Sequence, residues 1–296
     1  MELTNVLMRL GLYLDLGLLF GLAFFAFYAL RPEEMATRFG LRLRSSVVIL
    51  AVLGVVLSLM NVVVMAKNMS GADNYAEIEM HMIGMIVGGT EFGIAWLARM
   101  AALLLALSFV WWRRSGRGVY VCMVAGIALA TLAWGGHAVM DDGVRRYVHL
   151  GADIAHLLAA ATWAGALAAF AMLSRDVSSV SLFSRTTNGF AQIGSVLVAT
   201  LLLTGGINYW LIVGPQFPDK VYGVLLVTKL ALFGLMLGLA AVNRFRLAPR
   251  LEAAVAIGDR QGAIAALRHS IVIETFAAAL IFAVVAYLGL QSPHPG

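Results

Sequence analysis

Residues 148–173 read VHLGADIAHLLAAATWAGALAAFAML. At about 1.5 Å of rise per residue, this run is long enough to cross the roughly 30 Å hydrocarbon core of a bilayer as one helix. Its second half is almost wholly apolar, whereas its first half carries His149, Asp153 and His156. Those three positions and Trp163 fall on one helical face. Ionisable side chains on a segment otherwise suited to lipid are costly, so the stripe needs a structural or functional reason.

The rest of the chain follows the same logic. Of its 296 residues, 61% are hydrophobic and 12% are charged, about half the 25% charged residues usual in a soluble domain. Too few polar residues remain to coat a water-soluble globule. Eight stretches are long and apolar enough to span a bilayer: 6–30, 45–65, 91–112, 118–137, 148–173, 189–213, 222–243 and 270–290. The expected fold is all-α, a polytopic membrane bundle of about eight helices forming a single domain over residues 1–296. The first stretch resembles a signal peptide only superficially. It is too long, it contains Asp15, and no A-x-A cleavage site follows it.

Lys and Arg placement sets the expected orientation. The connections at 31–44, 113–117, 173–188 and 244–269 hold fourteen arginines, while the opposite connections hold Lys67, Arg145, Arg146 and Lys220. The arginine-rich side is therefore expected to be cytoplasmic, with both termini periplasmic. The net charge of +5 is then a topology signal and not a nucleic-acid footprint. The single cysteine, Cys122, excludes a disulfide framework and a Cys-based metal cluster within one chain. No G-x-x-x-x-G-K-S/T loop is present, nor a soluble domain to hold one, and the protein is expected not to be an enzyme.

Helices one, three, five and seven enter from the arginine-poor side. Asp15, Arg99, His156 and Lys229 sit at a common depth in them, about 10–14 Å in, with Asp153 slightly higher. Asn61, His137 and Asn208 approach the same level from the even helices, and Glu274 lies apart, nearer the other side. Two readings fit this layer. One is a set of ion pairs fixing helix register, with Arg99 and Lys229 pairing Asp15. The other is an outward-facing, water-accessible cavity.

His149 and His156 are about 10 Å apart along the helix, too far to chelate one ion together. Each needs partners from other helices, and His137, in Trp134-Gly-Gly-His137, is the nearest candidate. Asp153 suits the role of orienting an imidazole. The connection at 66–90 contains Met80-His81-Met82 and Met85, expected as an interfacial or re-entrant helix. Thioethers favour Cu(I), and imidazole accepts copper in either oxidation state, so this segment fits a capture site. It equally fits an amphipathic helix resting its methionines in lipid. The polar residues of the sixth span, Thr204 and Asn208 among them, are expected to make helix-packing hydrogen bonds.

The stretch from Trp134-Gly-Gly-His137 through His149, Asp153, His156-Leu-Leu-Ala-Ala-Ala-Thr-Trp163 and Gly165 resembles the signature of the copper resistance protein D (CopD) family. Tyr222-Gly-Val-Leu-Leu-Val-Thr-Lys229, Asn243-Arg244 and Leu247-Ala-Pro249 also resemble it, and the likeness runs over about residues 85–290. The resemblance implies an inner-membrane protein of copper homeostasis that moves copper from periplasm toward cytoplasm, with a small periplasmic CopC-like copper-binding protein as partner. It points to the histidines as metal ligands. Copper would be captured by Met80, His81, Met82 or Met85 and passed to His137, His149 and His156, with Asp153, Asp15, Arg99, Lys229 and Trp163 balancing charge or supporting ligands. Two alternatives remain: an electron-transfer protein with a b-type haem on His137 and His156, and a subunit that docks a copper chaperone without transporting metal.

Overall fold

A computed structural model describes residues 3–72, 74–111, 118–175, 180–216, 218–257 and 261–293. Every regular element among them is helical. The membrane-length helices are α1 (Leu3–Ala29), α2 (Arg38–Ser70), α4 (Glu91–Trp111), α5 (Gly118–Ala130), α6 (Gly143–Leu173), α7 (Val180–Ile212), α8 (Lys220–Val242) and α10 (Gln261–Leu288). Two 3-10 turns, Thr131–Gly135 and His137–Met140, extend α5 toward α6. Eight spans are long and apolar enough to cross a membrane, as the composition requires. Short α3 (Met80–Gly89) and α9 (Ala248–Ile257) fill the two long connections.

Several helices run beyond the apolar windows. α2 begins at Arg38 because Thr37 caps it, its hydroxyl accepting the Gly40 N–H, and it ends on Gly71 at φ 68°, a left-handed position suited to glycine. Charged turns thus continue the helix out of the lipid, where hydropathy alone does not register them.

α1 is the centre of the bundle. It packs against α2, α5, α6 and α10. Its closest approach is to α6, where Gly21 meets Gly165 backbone to backbone, and a Cβ on either would overlap the other chain. Lipid gives helices no hydrophobic reason to associate, so close van der Waals packing at small residues does that work. The Gly17/Gly21 pair therefore forms a true packing seam. Gly234 and Gly238 have the same spacing, but nothing lies within 4 Å of a Cβ built on either.

At the arginine-rich end, Phe25 meets Phe39 and Phe170 edge to face, with centroids 6.4 and 5.6 Å apart. Phe170 also meets Phe183 and Phe190, tying α1, α2, α6 and α7 together. Arg185 of α7 ion-pairs with Glu34 at 2.6 Å beside them. On the other flank, α7 lies on α6 and α9, and α8 on α10. Val196, Leu203, Trp210, Val224 and Val227 stand exposed on the outer faces of α7 and α8, while Asp15, Arg99, His149 and Glu274 are buried. This inversion suits a protein whose surrounding solvent is hydrocarbon.

Candidate functional site

The ionisable stripe of α6 faces inward. Asp141 lies just before α6, at the end of the 137–140 turn, and its Oδ2 accepts the His149 Nδ1–H at 2.6 Å. The other Asp141 oxygen pairs with Arg145 at 2.9 Å. His149 is buried, and its Nε2 has no hydrogen-bond partner. In the neutral imidazole this bond keeps the proton on Nδ1 and leaves the Nε2 lone pair free, the state in which a histidine binds a metal with a carboxylate behind it.

His156 repeats the arrangement two turns deeper. Its Nδ1 lies 2.9 Å from Thr204 Oγ1, and that hydroxyl already donates to the Thr200 carbonyl at 2.6 Å. Thr204 can therefore only accept from His156, which leaves Nε2 as the unprotonated nitrogen. Asn208, one helical turn further along α7, donates to Asp153 Oδ1 at 2.6 Å. The polar residues of α7 do hold helices together, and they do so by fixing the site residues of α6.

Three cavities line the α6 stripe. The first, about 150 Å³, is bordered by Arg9, Asp153, His156, Asn208, Tyr222 and Lys229. The second, about 510 Å³, is mainly apolar and shares Tyr13, His156 and Lys229 with the first. The third, about 220 Å³, lies toward the arginine-rich end and shares Trp163 with the second. At that partition the Trp163 indole N–H donates to Glu274 Oε1 at 2.8 Å, and Asn243 Nδ2 donates to Glu274 Oε2 at 2.9 Å.

Lys229 and Asp153 line the same small cavity. Arg9, a lone arginine inside the apolar run of α1, donates to the Gly135 carbonyl and the Tyr13 hydroxyl, each at 3.1 Å. It brings a second cation to the first cavity. Sequence reasoning missed it because one arginine barely changes a hydropathy window.

The ion pairing anticipated for Asp15 does not form. Both Asp15 oxygens are buried without a hydrogen-bond partner, and Asp15 lies against Gly54 of α2. Arg99 Nε donates instead to Thr131 Oγ1 at 2.8 Å. Arg99 lines a cavity of about 360 Å³ with Asn61, Met8, Met65 and Met140, while Lys229 and Asp153 line the small first cavity. The common layer thus divides between two cavities that share Arg9 and Tyr13 of α1.

The histidines are not gathered at one point. Among the described residues, no group of three His, Cys, Asp or Glu side chains converges as a metal site. The His137 backbone opens the 137–140 turn, and its side chain lies outside the described residues. On α3, Met82 packs toward Val62, Ala66 and Ile86. Met80, His81 and Met85 are exposed, with His81 and Met85 one helical turn apart. Helix α3 rests on α2 and α4, away from the α6 stripe.

Comparison with known proteins gives concordant matches in both halves of the chain. The family model described as copper resistance protein D-like, N-terminal domain, matches residues 1–148. The model described as copper resistance protein D matches residues 184–288. The likeness thus extends through the amino-terminal helices, beyond the region whose motifs carry it by eye. "Copper resistance protein D" of Pseudomonas syringae pv. tomato is 44% identical over 301 residues, covering 98% of this chain and 97% of that protein. "Inner membrane protein YebZ" of Escherichia coli is 27% identical over 170 residues, covering 55% and 57%. No solved structure matches the chain.

Proposed function

The chain belongs to the copper resistance protein D family, and from that premise we propose that it is an inner-membrane permease passing copper from the periplasm toward the cytoplasm along the α6 face. The observation that carries this reading is His149: a buried imidazole whose Nδ1 is fixed by Asp141 and whose Nε2 has no partner. A buried nitrogen left unsatisfied needs a partner, and a soft or borderline metal ion suits a neutral imidazole. His156, about 10 Å further along the same helix, offers a second free Nε2. Among the described residues, Asp153 supplies the one carboxylate of the cavity that Lys229 and Arg9 also line, and it is the group there that attracts a cation. Met80, His81 and Met85 on the exposed face of α3 provide first capture. Both termini then face the periplasm, and a small periplasmic copper-binding protein is the fitting donor.

Metal analysis of the purified protein by mass spectrometry, with an absorption spectrum, tests this. Copper should be present, His149→Ala and His156→Ala should each lower it, and Thr204→Val should lower it less than His156→Ala. Unchanged copper in both histidine variants would remove the assignment. A Soret band would identify haem as the ligand of the histidines instead.

A further inference from the structure

We propose that Glu274 is a proton-carrying inner gate, exchanging its proton for copper as the ion passes from the central cavity to the cavity at the arginine-rich end. This rests on the permeation reading above and adds a mechanism to it.

Glu274 lies on α10 and is 2% exposed. Its two oxygens are held by Trp163 and Asn243, both neutral donors. Among the described residues it forms no ion pair. The charged groups on the elements around α10 are engaged elsewhere. Arg9 bonds Gly135 and Tyr13. Arg244 lines the same cavity as Glu274 but donates through Nη1 to Ala191 O and Ser195 Oγ on α7, and Arg246 and Arg250 are exposed. Glu252 on α9 accepts from Asn188. Asp15 is buried against Gly54, Lys229 lines the cavity of Asp153, and Arg268 and His269 on α10 itself are exposed. A carboxylate left ionised there would be an uncompensated charge inside the membrane, which costs several kcal/mol. Carrying a proton removes that cost.

Two further features fit a loaded acid. Asn243 Oδ1 is buried without a partner. The two ends of an amide are interchangeable in such a network, so a protonated Glu274 can donate to the amide oxygen. Asn243 also begins a π-turn, Asn243–Leu247, in which the Ala248 N–H reaches back to the Asn243 carbonyl. This widened turn interrupts the regular helix where Asn243 meets Glu274, and such turns recur at functional sites.

The position completes a series. His149, His156 and Trp163 recur at seven-residue intervals on α6, and Glu274 is held by the third of them. Trp163 lines both the second, central cavity and the third, at the arginine-rich end, and the carboxyl it holds lines the third. When copper arrives, Glu274 releases one proton to the inner cavity and its carboxylate holds the ion; reprotonation releases copper and restores the closed partition.

The test compares the full-length parent, Glu274→Gln and Glu274→Asp in proteoliposomes, reading copper accumulation, bound copper in detergent, and the infrared difference spectrum on copper addition. Glu274→Gln should keep its bound copper at the histidines but lose accumulation. Copper should bleach a protonated-carboxyl band in the parent, absent from Glu274→Gln and retained, shifted, in Glu274→Asp. Accumulation by Glu274→Gln at the parent rate, or the same bleached band in Glu274→Gln, would overturn the proposal. If the parent accumulates no copper, the permeation reading fails, and the infrared band alone decides Glu274: its absence from the parent overturns the gate.

Discussion

Asp141 holds His149 through Nδ1 at 2.6 Å while the opposite ring nitrogen stays buried and unpartnered. The acid fixes both the tautomer and the ring plane, and it raises the basicity of the nitrogen left over. Asp141→Asn keeps the shape and removes the charge. Copper affinity should fall about 10- to 100-fold, measured by competition against a chelator of known affinity. An unchanged affinity would mean that His149 does not bind the metal.

Asp15 offers the opposite case. It is buried, and neither oxygen accepts a hydrogen bond. Replacing a carboxyl group that makes no hydrogen bond removes no interaction, so Asp15→Asn should shift the thermal unfolding midpoint in detergent by no more than about 1 kcal/mol of stability. A clear fall in the midpoint would reveal a partner for the carboxylate.

The α1–α6 seam is the most demanding packing in the bundle. Gly165→Ala places a methyl group into the Gly21 backbone and should destabilise the protein by about 1–3 kcal/mol, read from unfolding in mixed micelles. Gly238→Ala, where no atom lies within 4 Å of the added Cβ, is the matched control and should have little effect.

Much of this was legible in the sequence. Hydropathy located every span because each needs a long apolar run, and helical spacing put His149, Asp153, His156 and Trp163 on one face. What the sequence could not provide was partners. Asp141 looks ordinary in sequence, and Thr204 and Asn243 show no partner there, until tertiary packing sets each beside its histidine or carboxylate. Glu274 could be singled out as an acid in an apolar run, but its bond to Trp163 spans 111 residues. Asp15 and Arg99 show the reverse error. Opposite charges at equal depth suggest a pair, yet depth says nothing about what each side chain meets: Arg99 bonds Thr131, and Asp15 lies against Gly54. The GxxxG spacings carry the same lesson, since only backbone packing distinguishes the seam at Gly21 from the open face at Gly238.

The seven-residue recurrence along α6 has a mechanical corollary. An ideal α-helix falls about 20° short of whole turns every seven residues, so the three side chains wind slowly around the axis. Each meets a different neighbour: Asp141 before α6, Thr204 on α7, Glu274 on α10. A shift of α7 disturbs the middle contact and spares the outer two, and a shift of α10 does the same for the last. On the permeation reading, movement of one neighbouring helix would release one contact at a time, like the gates of a canal lock, and leave the others closed.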